Sequence, residues 1–150
     1  MERTNERKKL AIYKPNKDAT GAAVQFDFAP DKESVFAEFS KQKAEKEFDW
    51  ANKISIKLAI SDIGKILLVL SGKQTGINLY HEASKGGYES AKGTKNAALS
   101  VQKSTYGYYF KVSRQLTDGT VSSVQVSVSD DEAMIFETLL KKAVERIYGW

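Results

Sequence analysis

What constrains this chain most is alternation. In "KISIKLAI" (53–60), Ile54, Ile56, Leu58 and Ile60 fall on one side, and Lys53, Ser55, Lys57 and Ala59 on the other. A period of two is strand geometry, and a single apolar side means a sheet with one face in the core and one face open. Seven more segments read as strands: "KKLAIYK" (8–14), "AAVQFDF" (22–28), "SVFAEFS" (34–40), "INLYHEA" (77–83), "AALSVQK" (97–103), "YYFKVSRQ" (108–115) and "VSSVQVSV" (121–128). "PDKE" (30–33) and "TDGT" (117–120) are turn sequences between them.

The period changes twice. Over 61–72, Ile63, Ile66, Leu67 and Leu70 recur at helical spacing behind Ser61 as N-cap, with Gly72 placed to end the helix. Over 130–148, Ala133, Phe136, Leu140, Ala143, Val144 and Ile147 form an apolar stripe. Ser129 caps that helix, acids crowd its start, and Lys141, Lys142 and Arg146 lie near its end, as the helix dipole favours. The chain therefore reads as four strands and a helix, twice. This predicts an α+β fold: two antiparallel four-stranded sheets packed against each other with two helices. "KQKAEKEFDW" (41–50) interrupts the plan, and its charged first part reads as a short helix or a loop. The glycine-rich 84–95 reads as a mobile surface loop and 1–7 as a flexible N-terminus, within one domain spanning 1–150.

Chemistry narrows next. Cysteine is absent, which excludes disulfides and thiolate metal sites, and a lone histidine, His81, argues against zinc. His81 shares a strand face with Ile77 and Leu79, which favours a half-buried structural role over a base. The longest apolar run, "ILLVLS" (66–71), is far too short for a membrane span. "MERTNERKKL" has no apolar signal region, so a cytoplasmic location is expected. No phosphate-binding or dinucleotide glycine motif occurs, and Asp130–Asp131 is explained by helix capping. The expectation is a protein without enzymatic activity or cofactor. The net charge of +4 tilts only slightly toward an anionic partner.

The open sheet faces are more informative. In 106–115, Tyr108, Phe110 and Val112 share the core side, which leaves Tyr109 and Lys111 on the polar side. Across all strands the polar side presents Lys9, Tyr13, Lys53, Lys57, Tyr80, Tyr109 and Lys111 among serines and glutamines, with few acids. Interleaved lysines and tyrosines suit a single strand held by stacking and phosphate contacts. A plain solvated sheet has the same composition, and Trp50 in "FDWANK" (48–53) reads equally as a core cap or a stacking platform.

Several stretches together resemble the Whirly family of single-stranded DNA-binding proteins. "FDWANKISIKLAISDIGKILLVL" (48–70) is similar to the family's aromatic-Asp-Trp, basic stretch, strand and Glu-Ile-Gly helix, with Asp62 in place of Glu. "YHEASKG" (80–86), "GYYFKVS" (107–113) and the closing "YGW" (148–150) resemble further family motifs in register. The resemblance implies a homotetramer and single-stranded DNA running across the sheets with little sequence preference, in replication, recombination, repair or transcription. It implies stacking by Tyr13, Trp50 and Tyr109, and phosphate contacts from Lys8, Lys9, Lys53, Lys57 and Lys111. The family's Lys-Gly-Lys-Ala-Ala-Leu is replaced by "ERKKLAIYKP" (6–15), which departs from its higher-order assembly. The N-terminus and the charged 41–47 suggest a prokaryotic or phage relative, nucleoid-associated. RNA binding by the same fold, a protein-interaction module, and a hydrolase built on His81 are the competing readings.

Overall fold

The structure, a computed structural model, describes residues 7–83 and 93–150. The expected 1–7 tail and 84–95 loop lie largely outside them. Where 84–95 is described it is partly strand, because β7 already begins at Thr94, which is buried.

The first sheet contains β1 (Leu10–Lys14), β2 (Ala22–Ala29), β3 (Ser34–Ala44), β4 (Glu47–Phe48) and β5 (Ile54–Leu58). All its pairings are antiparallel, in the order β1-β2-β3, with β4 and β5 sharing the far edge of β3. Helix α1 (Ile60–Leu70) follows. The second sheet is a meander, β6 (Gly76–Glu82), β7 (Thr94–Lys103), β8 (Gly107–Leu116) and β9 (Val121–Ser129), and α2 (Asp130–Tyr148) leaves its last strand. This is the expected α+β plan with one strand added.

Two expectations need correction. Residues 41–44 are neither helix nor loop: they extend β3, and a tight turn at 45–46 leads into β4. The apolar signal stops at Phe39 because the strand runs past the edge of the core there, so the period becomes invisible. The first helix is capped at Ala59, not Ser61. The Asp62 carboxylate accepts the Ala59 N–H at 3.0 Å, and Ile60 is already helical. In α2 the Glu132 carboxylate accepts the Ser129 N–H at 3.0 Å, and Gly149 closes the helix in the left-handed region, φ 73°.

One apolar cluster joins everything. Phe26 from β2 stacks on Phe136 of α2 at 3.9 Å between ring centres, and Phe110 of β8 meets both edge-on at about 6 Å. Each ring comes from a different layer, and all three are buried. The inward faces of both sheets are thereby committed to packing. Their outward faces are open on opposite sides.

Candidate nucleic-acid interface

The outward face of the first sheet is built in rows fixed by the strand register. Tyr13, Ala23 and Ser40 lie side by side, as do Ala11, Gln25, Glu38 and Ser55. Ala23 and Ser40 are small, and this allows rings from the two edges to lean over them. Tyr13 of β1 and Phe48 of β4 meet at 5.4 Å with their planes tilted by 49°, while Ala23 and Ser40 are fully buried. Tyr13 is 51% exposed, so the pair is an aromatic platform facing solvent. Trp50, half-buried in the short 3₁₀ turn Trp50–Asn52, follows immediately after β4.

A buried glutamine holds the end of this platform. Gln42 Oε1 accepts the backbone N–H groups of Asn16 and Gly21 at 2.9 and 3.0 Å. Its Nε2 donates to the carbonyls of Asn16, Ala44 and Glu45. It ties the β1–β2 loop to the β3–β4 turn, and so fixes Tyr13 relative to Phe48. Gly21 is required here, because a Cβ would lie 2.1 Å from the Lys14 carbonyl oxygen.

Charge on this face is arranged differently from expectation. Lys9 and Lys53 both bond Glu38, the former at 3.3 Å, and Gln25 donates to the same carboxylate at 2.9 Å. Burial raises the Glu38 carboxyl, but hydrogen bonds from Lys53 and Gln25 and the charges of Lys53 and Lys9 outweigh it and hold it below its ordinary value. These two lysines are therefore half-neutralised from within. Lys57 is exposed on β5, in the same row as Asp27 and Phe36. Lys8 does not join the group. It alternates with Lys9 and lines a groove beside α2.

The outward face of the second sheet is of another kind. Tyr109 and Lys111 are both exposed there, as expected, and Tyr108 and Phe110 are buried on the core side. Arg114 is on the core side too, half-buried, so Lys111 is the cation that β8 turns outward. Around them lies an open groove of about 430 Å³ walled by Asn78, Ser100, Gln102, Ser113 and Gln125. Neutral donors and acceptors surround one ring and one cation. Tyr80 is exposed one row further on.

The residues expected at an interface thus fall in two groups on opposite faces, Lys9, Tyr13, Trp50, Lys53 and Lys57 against Tyr109 and Lys111. Sequence reasoning missed Phe48 as the ring partner of Tyr13 and Glu38 as the acid between two lysines. Both depend on register, which alternation along one strand does not reveal. His81 is half-buried, with Nε2 3.2 Å from the buried Asp62. It fastens β6 to the start of α1, in keeping with the structural role expected of it.

A family model described as Whirly transcription factor matches residues 30–139. Among curated proteins no sequence matches. Solved structures do. WHY3 from Arabidopsis thaliana superposes with a TM-score of 0.77 at 18% identity, over 99% of this chain and 92% of that one. The plant transcriptional regulator PBF-2 gives 0.77 at 19% identity, over 99% and 94%. A guide-RNA-binding protein complex bound to a guide RNA gives 0.65 at 13%, over 97% and 95%. At these identities the structural likenesses establish the fold.

Proposed function

The chain belongs to the Whirly family, and from that premise we propose that it is a non-enzymatic protein that binds single-stranded DNA along its open sheet faces with little sequence preference. The observation that carries this reading is the Tyr13–Phe48 platform. A solvent-facing ring pair held over Ala23 and Ser40 offers the exposed face of Tyr13, braced by Phe48, to a base, whatever its identity. Tyr109 beside Lys111 repeats the combination of ring and cation on the second sheet. The neutral groove around them suits sugars and base edges rather than a string of phosphates.

The proposal includes self-assembly as a tetramer. Met134, Ile135 and Leu139 of α2 stay exposed. Exposed apolar side chains on one helix support contact between copies.

RNA is the second reading. It is favoured by the guide-RNA complex among the structural neighbours and by the hydroxyl and amide groups near Lys111, which can bond a 2′-hydroxyl. The test is substitution on both faces. Tyr13→Ala and Tyr109→Ala are expected to weaken single-strand binding separately and more so together, with thermal unfolding unchanged. Undiminished affinity in the double variant would overturn the stacking reading.

A further inference from the structure

A second groove, of about 500 Å³, runs between the start of β1, the end of β2 and the outer half of α2. The sheet-face function leaves most of it unused, Lys9 and Asp27 being common to both, and its chemistry differs from that of the sheets. Its floor is hydrocarbon: Phe26, Phe136 and Leu140 beneath, Leu10 and Phe28 half-buried at the side. Its banks are cationic. Arg7 and Lys8 stand on the β1 side, Lys142 and Arg146 on the α2 side, against one lining acid, Asp27.

Lys142 shares its charge with Glu145 at 3.5 Å, and the Arg7 guanidinium lies 5.9 Å from the centre of the Phe28 ring. No lining side chain is a neutral amide or hydroxyl. A base or a ribose would find only charged partners there, whereas on the second sheet it would find six neutral ones, Asn78, Ser100, Gln102, Tyr109, Ser113 and Gln125. An apolar trough with cations on both banks is complementary to an anionic head on a hydrocarbon tail, and its volume is in the range of small-molecule sites.

We propose that this groove binds a free alkyl carboxylate, the carboxylate meeting Arg146 and its cationic neighbours and the chain lying over Leu10, Phe28 and Ala143. This reading is independent of nucleic-acid binding.

The probe is sodium dodecanoate below its micelle concentration, titrated calorimetrically into the full chain. Dodecanol and acetate serve as controls, and the Leu10 and Ala143 methyl resonances locate the ligand. Saturable binding of one dodecanoate per chain is expected, with both methyls shifted. The exposed pair Lys142→Gln/Arg146→Gln is expected to weaken it roughly tenfold, the scale of a lost charge-assisted contact, and to leave single-strand binding unchanged. Dodecanol is expected to bind at least as weakly as dodecanoate does to that variant. The proposal is overturned by binding that appears only with micelles, or by equal binding to the double variant. Binding coupled to subunit dissociation in sedimentation would also overturn it, because a second copy would then be the occupant. So would capture by anionic vesicles without saturable dodecanoate binding.

Discussion

In the proposed function, Glu38 limits how strongly the first sheet attracts an anion. It is buried between Lys9 and Lys53 and takes up one of their two charges. Glu38→Gln keeps the shape and removes that counter-charge. Single-strand affinity should rise, and the salt dependence should steepen by about 0.7 in log–log slope for one more phosphate neutralised. An unchanged slope would show that neither lysine meets the backbone. The same residue makes a stability prediction. Glu38 is held below its ordinary value, and so is Glu132, where burial is outweighed by the bonds from Lys14 and Ser129. A depressed folded pKa stabilises above the unfolded value and loses that contribution as pH falls through the folded one. The urea midpoint should therefore drop on acidification below about pH 4.5, and less steeply in Glu38→Gln and Glu132→Gln. At Tyr13 and Tyr109, truncation to Ala should each cost about 1–3 kcal/mol of binding, measured by titration at fixed salt.

Among the elements, the β1–β2 loop and the short β4 decide whether the aromatic platform exists. Gln42→Ala would strip the acceptor from two backbone N–H groups and the donor from three carbonyls. A cost of about 1–3 kcal/mol is expected, read from chemical denaturation, together with weaker binding through a misplaced Tyr13. Sequence showed this region least well. Lys41 and Lys43 fall at positions that earlier in β3 belong to Val35, Ala37 and Phe39, so the strand continues with no apolar signal. The alternation in β5 and β8 was legible because each of those strands stays over the core along most of its length. Thus Phe110 and Tyr109 could be assigned to opposite faces from spacing alone, and the structure agrees. Which cross-strand neighbours meet could not be read. Lys9, Gln25, Glu38 and Lys53 come from four separate segments, and only the register brings them together.

At the scale of the whole molecule, two sheets and a helix share one contact, the Phe26–Phe110–Phe136 cluster. Phe136→Ala should cost about 3–5 kcal/mol and lower the thermal midpoint of both sheets together, because the ring touches each. The same packing sends the two faces proposed for nucleic acid to opposite sides, which fits the proposed tetramer with a strand engaging more than one protomer. Binding of single strands to these faces through rings and phosphate contacts is the core of the proposed function. It is tested most directly by fluorescence anisotropy of a labelled single strand of about 30 nucleotides at two salt concentrations, with duplex and RNA of the same sequence as competitors. Tight binding is expected that weakens with salt, at about −0.7 per phosphate neutralised, and that duplex fails to displace. A folded oligomer that shows no binding at low salt would contradict it.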